Sequence, residues 1–334
     1  MKVILPSKIV IEHDPIIEIW DWAINVYKKM KRQSSKKLCF DFSGLQFIDP
    51  FGTVFLILFI ETLKKEGYTL YPQNVSQEID AHRYLTRMGF FDFFNLNCDY
   101  KFTKHDSAGR FVEIRHLEKI TEINNTIEDL KKTLITALED VDISNFFSHK
   151  ATELLDNVFS HAASSIGAVI MAQTYQLGTK NPCVIFAVGD LGIGIACSIK
   201  NTIYENFSDS EAVKKALDYG VSSKSGRLYN YSSPNAHQGA GLFYIRKFLE
   251  LNSWTGIFIS NGGAVIIDEG KILELDVADN EIIAGTLIGL KLTSDNILDY
   301  DTASQIIASE IYEKYTMKKK YDIIKAEDFS DWFD

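Results

Sequence analysis

The amino-acid sequence predicts an α/β protein with a small α/β domain over residues 1–105, a larger one over 110–298 and a helical C-terminal tail over 299–334. Three observations carry that reading. Short β-rich runs alternate with stretches of helical apolar spacing through the first hundred residues. Two long helical stretches then precede several β-rich runs, two of them joined by turn-forming residues. Between these blocks the chain is polar and aperiodic, and Lys104–His105–Asp106–Ser107–Ala108–Gly109 reads as a linker.

In the first block, residues 3–12 read as a strand, 16–31 as an amphipathic helix and 37–42 as a short strand. Residues 52–66 place Val54, Phe55, Leu58, Phe59 and Leu63 at helical spacing. Residues 69–71 form a short strand after Gly67, and 82–94 a last helix with its cap. In the second block, 117–138 reads as a long helix and 146–162 as another, N-capped by Ser144. Residues 166–175 and 183–188 are strands of a hairpin closed by Leu177–Gly178–Thr179–Lys180–Asn181. From about residue 200 to 238 the chain is polar and rich in Ser and Tyr, the composition of a functional lid. A helix over 241–251 and β-rich runs at 255–260, 264–268 and 286–292 complete this block. The tail begins with a helix over 303–315 and ends in Asp328–Phe329–Ser330–Asp331–Trp332–Phe333, a docked terminus or a partner-binding segment.

Composition narrows the function classes. With 334 residues, 46% hydrophobic and 24% charged and only 6 Pro, the chain has apolar material for two cores and is not a disordered protein. A formal net charge of −10 repels phosphate backbones and anionic lipid, which argues against nucleic acid or membrane as the main partner. The longest apolar run, 54–60, is too short to span a bilayer, and the first thirteen residues lack the apolar core of a signal peptide. Four cysteines without metal-ligand spacing imply neither zinc nor a disulfide framework, and the expected location is cytoplasmic.

Three motifs carry chemistry. In Glu153–Leu154–Leu155–Asp156–Asn157–Val158–Phe159–Ser160–His161, positions four apart are offset by only about 40° on a helix, so Glu153, Asn157 and His161 share a polar stripe. The Asn157 carboxamide oxygen suits a Mg²⁺ ion that takes its other ligands from phosphate and water. Glu153, one turn away, is placed to accept a proton from a nucleophile. In Val188–Gly189–Asp190–Leu191–Gly192–Ile193–Gly194, the glycines allow close backbone approach and the carboxylate can accept a hydrogen bond from an exocyclic amine such as that of adenine. His237–Gln238–Gly239–Ala240–Gly241–Leu242 leads into a helix whose free N–H groups form an anion site. Taken singly, each motif is equally explained by a surface helix or a plain turn.

In order, with a long lid and then a strand opening Gly285–Thr286, these motifs resemble the GHKL (Bergerat-fold) ATPases and kinases. The resemblance implies an α/β sandwich with helices on one face of a mixed, mostly antiparallel sheet. It implies ATP and Mg²⁺ as cofactors, Asn157 as the metal ligand and Glu153 as general base. It further implies Asp190 on the adenine amine, Gly192 and Gly194 shaping the adenine side, Gly239 and Gly241 forming the phosphate loop, and Thr286 assisting adenine recognition through water. His161 would close the first motif. The 117–138 helix has no His of its own after His116, which argues against autophosphorylating sensor-kinase chemistry, and no second ATPase subdomain is recognisable.

Residues 38–70 resemble the core of a STAS domain, the fold of anti-sigma-factor antagonists. Asp41, Phe42, Ser43 and Gly44 match the end of that family's central strand, and Asp49 and Gly52 frame its Asp-Ser-Ser-Gly turn. Pro50 and Phe51 stand where the family has its two serines, one of them phosphorylatable, and Thr53 is a poor substitute. The expectation is a docking module without a phospho-switch, fused to a Mg-ATP-binding domain that controls a protein partner, such as a regulator encoded nearby. The pairing resembles the anti-sigma serine kinases and implies γ-phosphoryl transfer to a protein hydroxyl or water. An ATP-hydrolysing clamp that dimerises and a non-enzymatic nucleotide-binding module stay open as alternatives.

Overall fold

Among the described residues, every strand pair in the first hundred positions is parallel and every pair beyond residue 110 is antiparallel. The computed structural model describes residues 1–96, 107–201, 204–221, 241–276, 283–295 and 297–313. Residues Met1–Asn296 form one compact unit and Ile297–Asp334 a second. In the second unit the described chain is helical over 300–313, where the tail helix was expected; its acidic-aromatic end lies outside the described residues.

The N-terminal segment begins with β1 (Lys2–Ile4) and β2 (Lys8–Ile9), then α1 (His13–Lys31), β3 (Lys37–Asp41), β4 (Phe47–Ile48), α2 (Pro50–Lys65) and β5 (Thr69–Gln73). It closes with α3 (Asp80–Arg87) and α4 (Phe90–Phe93). Strands run β1-β3-β5 in one sheet, and β2 pairs β4 in another. The single strand expected over 3–12 is two pieces separated around Pro6, which has no N–H to give a ladder. The helix expected over 82–94 divides at Gly89, whose φ of 84° lies outside the helical range.

Helix α2 starts where its sequence dictates. Pro50 occupies the first turn, and the Asp49 side chain accepts from the Gly52 N–H, so a capping carboxylate and a pre-set φ coincide. Of its 16 residues 13 are buried, because α2 is covered on two sides. One side meets α1, where Trp22 packs on Phe59 with ring centroids 5.3 Å apart. The other side meets the sheet of the following segment.

That sheet has seven strands: β6 (Phe111–Leu117), β7 (Ala168–Tyr175), β8 (Cys183–Asp190), β9 (Thr255–Asn261), β10 (Gly263–Asp268), β11 (Lys271–Asp276) and β12 (Ile283–Thr293), in the order β11-β10-β9-β12-β8-β7-β6. With it come α5 (Ile123–Leu138), α6 (Val141–Asn157), α7 (Ile195–Lys200), α8 (Asp209–Ala216) and α9 (Gly241–Asn252). Side chains alternate between faces along each strand. Phe186 of β8 points to α6, where Phe147 sits in an aromatic cluster with Phe248 of α9 and Trp254. Its neighbours Ile185 and Ala187 point the other way, into the cluster formed by Phe51, Leu58 and the N-terminal core. Helices therefore cover both faces of the sheet, α6 and α9 on one and α2, from the N-terminal segment, on the other. Backbone approach decides this. A Cβ on Gly289 would lie 2.3 Å from the Phe51 ring, and one on Gly189 2.4 Å from Leu58, so only glycines let α2 settle here.

Other corrections have local causes. Just after the expected linker comes β6, an edge strand whose charged residues Glu113 and Arg115 and irregular register between Val112 and Arg115 hide its alternation. The helix expected from 117 accordingly begins at Ile123. Asp140, not Ser144, caps α6 by accepting from the Ile143 N–H; the Ser144 hydroxyl donates instead to the Asp140 carbonyl. Helix α8 falls early in the segment read as a polar lid. It opens with a capping box in which Ser208 and Glu211 satisfy each other's backbone N–H groups. No helix among the described residues is long and apolar enough to cross a membrane.

Asp49 is buried, and both its oxygens accept backbone bonds, from Gly52 and from Ile11. Burial outweighs those bonds and pushes the carboxyl up to about 7 from 3.8. Between those two values the folded chain binds more protons than the unfolded one, so stability falls as pH rises through this window and levels off above about 7. Three units at 1.36 kcal/mol each correspond to roughly 4 kcal/mol. Urea denaturation from pH 4 to 8 is expected to show this slope in the wild type and a flatter profile in Asp49→Asn; identical profiles would refute the assignment.

Candidate functional site

The α6 helix delivers the first group of residues. It stays α-helical through Asn157, and residues Val158–Ala162 then form a wider π-helical turn. The α-helical stripe expected to run through His161 thus ends at Asn157. Glu153 and Asn157, one turn apart, both line a cavity of about 440 Å³. The Glu153 carboxylate is engaged: the Lys150 ammonium lies 2.9 and 3.0 Å from its two oxygens, and His149 Nε2 3.1 Å from one. These partners sit three and four residues before Glu153 on the same helix face, a spacing legible in the sequence but not used.

The loop after β8 supplies the opposite wall. Asp190 ends the strand, buried, and its Oδ1 accepts from the Gly192 N–H at 2.6 Å. Burial pushes its carboxyl up to about 6, opposed by that bond and by the Lys65 ammonium. The rest of the loop is held at each step. The Leu191 N–H donates to Ser164 Oγ, Ile193 N–H to the Ala162 carbonyl, Ile195 N–H to Thr286 Oγ1 and Ala196 N–H to Ser260 Oγ. Gly194 has φ 77°, and a Cβ there would lie 2.4 Å from Asn261 Oδ1. Strand register places Thr286 of β12 directly opposite Asp190 of β8.

The third group is the start of α9. A Cβ on Gly241 would lie 2.6 Å from Glu153 Oε2, so the helix N-terminus abuts the carboxylate of α6. The macrodipole and that carboxylate attract each other. An anion arriving at α9 must therefore share this end with Glu153, beside the cation Lys150.

Of the residues expected at the site, Glu153, Asn157, Asp190, Gly194, Gly241 and Thr286 line one cavity. Gly192 does not; it packs beneath the loop, where a Cβ would meet the Ala162 carbonyl at 2.2 Å. Gly239, His237 and most of the lid expected over 200–238 lie outside the described residues. Sequence reasoning passed over Lys150 and the apolar wall of Ile193, Ile195 and Ile288. Ile193, between the two glycines of its motif, is half-exposed and lines the cavity.

Oxygen donors at the α6 end of the cavity are Glu153, Asp156 and Asn157. Among the described residues no three His, Cys, Asp or Glu side chains converge. A cation here would take one or two protein oxygens and the rest from ligand and water, which is magnesium's habit rather than that of calcium or zinc. Comparison with protein-family models, with curated proteins and with solved structures finds no match to this chain.

Substituting Gly194 tests how tightly the loop is set. Gly194→Ala combines a positive φ with a close contact and is expected to lower thermal stability by about 1–3 kcal/mol. Gly178→Ala, at a similar φ of 78° but with open space around the Cβ, should cost less. Equal losses would show that φ alone matters.

Proposed function

We propose that the cavity binds Mg-ATP and that the chain is a GHKL-like, nucleotide-dependent regulator acting on a protein partner. The observation that carries this reading is that two kinds of group line one cavity, which we assign to its two ends. A buried carboxylate, Asp190, faces Thr286 beside an apolar wall, as an amine-bearing flat ring requires. At the other end stand Asn157, Glu153, Lys150 and the start of α9, as phosphates with a hard cation require. Bound Mg²⁺ would neutralise charge on the phosphates. Asn157 would hold the ion, and Glu153 would take a proton from the attacking hydroxyl of a partner protein or of water. Asp190 and Thr286 would orient the ring, and Ile193 would exclude water from it.

A second reading, nucleotide binding without turnover, draws support from one feature. Both Glu153 oxygens accept from the Lys150 ammonium, so they are occupied by a partner on their own helix rather than presented to a nucleophile. The N-terminal segment fits a STAS-like docking module without a phospho-switch. Phe51, at a position where the family has serine, is fully buried, and so is Thr53, whose hydroxyl donates to the Asp49 carbonyl.

Two measurements test the proposal. In calorimetry, ATP affinity should fall as pH is lowered through about 6, because protonation of Asp190 removes the charged acceptor. Asp190→Asn should weaken binding by ~1.5–3 kcal/mol, about 10- to 150-fold, and flatten that pH dependence. Equal affinity in wild type and variant would remove Asp190 from the site. For turnover, Glu153→Gln should leave affinity nearly unchanged and slow single-turnover phosphate release or transfer by roughly 10²- to 10⁴-fold. Asn157→Ala should instead lower Mg-ATP affinity itself. Wild-type turnover in Glu153→Gln would favour the binding-only reading.

A further inference from the structure

The end of α2 reaches the back of the proposed ring site at two places. Lys65 Nζ donates to the Leu191 carbonyl at 2.7 Å. Leu191 lies between Asp190, which lines the cavity, and Gly192, which closes the Asp190 turn. One helical turn earlier, Thr62 Oγ1 accepts from the Ala284 N–H at 3.2 Å. Ala284 immediately precedes Gly285 and Thr286, the latter opposite Asp190 in the sheet. Beneath the same pair of strands, Leu58 and Phe51 of α2 fill the spaces left by Gly189 and Gly289.

From these contacts we infer that the C-terminal end of α2 is a positioning element for the ring end of the cavity. Lys65 holds the Asp190 loop from behind, and Thr62 holds the entry of β12. The inference rests on the proposed nucleotide site for its ligand, but the mechanical link is present without one. Two hydrogen bonds from one helix, to the two backbone segments that frame the site, fix their separation; packing through Leu58 alone could set the distance between layers but not the loop's rotation. Lys65 is also the charged side chain whose field acts on Asp190, and it opposes the effect of burial there. Removing it should therefore loosen the loop and make Asp190 harder to ionise. By linkage, a ligand that tightens the loop would also tighten α2, so occupancy of the cavity would be felt in the N-terminal segment.

The test uses the full chain with Lys65→Met, Lys65→Arg and Thr62→Val. Hydrogen exchange of the ligand-free proteins should show faster exchange at 190–195 in Lys65→Met and at 284–287 in Thr62→Val, with urea midpoints little changed for the Lys65 variants. ATP affinity at pH 7 should fall roughly 2- to 10-fold in Lys65→Met, the equivalent of one net hydrogen bond. The pH midpoint of binding should also move upward, and Lys65→Arg should restore both. A uniform loss of stability without the pH shift would reduce Lys65 to a structural contact and overturn the inference. Unchanged loop exchange in both Lys65→Met and Thr62→Val would do so as well. If wild type binds no ATP, the functional proposal falls, while the exchange comparison still decides whether α2 sets the loop.

Discussion

The structure depends on one close approach: α2 laid against β8 and β12 with no side chain between its Phe51 and Leu58 and the backbone at Gly289 and Gly189. Because those glycines leave room, an apolar helix can be covered on both sides, by the N-terminal core and by the seven-stranded sheet. Each fully buried Leu, Ile or Phe is worth about 1.5–3 kcal/mol of transfer free energy, so a helix buried this thoroughly is a principal source of cohesion for residues 1–296. Close packing also means that the sheet cannot shift over α2 without opening voids. The loops at the ends of β8 and β12 inherit that rigidity.

Electrostatics divides the cavity. At one end burial pushes the Asp190 carboxyl up to about 6, where the carboxylate is only moderately committed to its charge. Such a group gains from a donor arriving in the cavity, since the donor replaces hydration that burial removed. At the other end Glu153 is partly solvated and already paired with Lys150. Its interactions are screened and exchangeable, and phosphate oxygens could compete for the same ammonium. One end is thus pre-set by a rigid, bonded loop, and the other is held by a replaceable ion pair.

The features legible in the sequence were those with a local cause. The alternation of strands and helices up to residue 94, the β7–β8 hairpin and the helices around 123–138, 141–157 and 241–252 follow from apolar period, caps and turn residues. The family resemblance implied a shared site for Glu153, Asn157, Asp190, Gly192, Gly194, Gly239, Gly241 and Thr286; six of these eight line one cavity, Gly192 does not, and Gly239 lies outside the described residues. What was missed had weak or non-local signals. Strand β6 is an edge with charged residues and an irregular register, and α8 is short, identified chiefly by its Ser208–Glu211 capping box. Lys150 escaped because a lysine next to a carboxylate on a helix reads as an ordinary surface pair.

By itself, then, the sequence determined the α/β class, the order of most elements and the residue types available for a site. Those are properties of short windows, where backbone preference, side-chain period and capping act within a few residues of each other. Tertiary structure alone decided that α2 crosses to the second sheet, that helices cover both of its faces and that Gly192 supports the loop rather than lining the cavity. It also decided that Lys65 stands behind Asp190. Each of these depends on how closely two backbones distant in sequence can approach, and that distance is set by glycines and side-chain volumes on both partners at once.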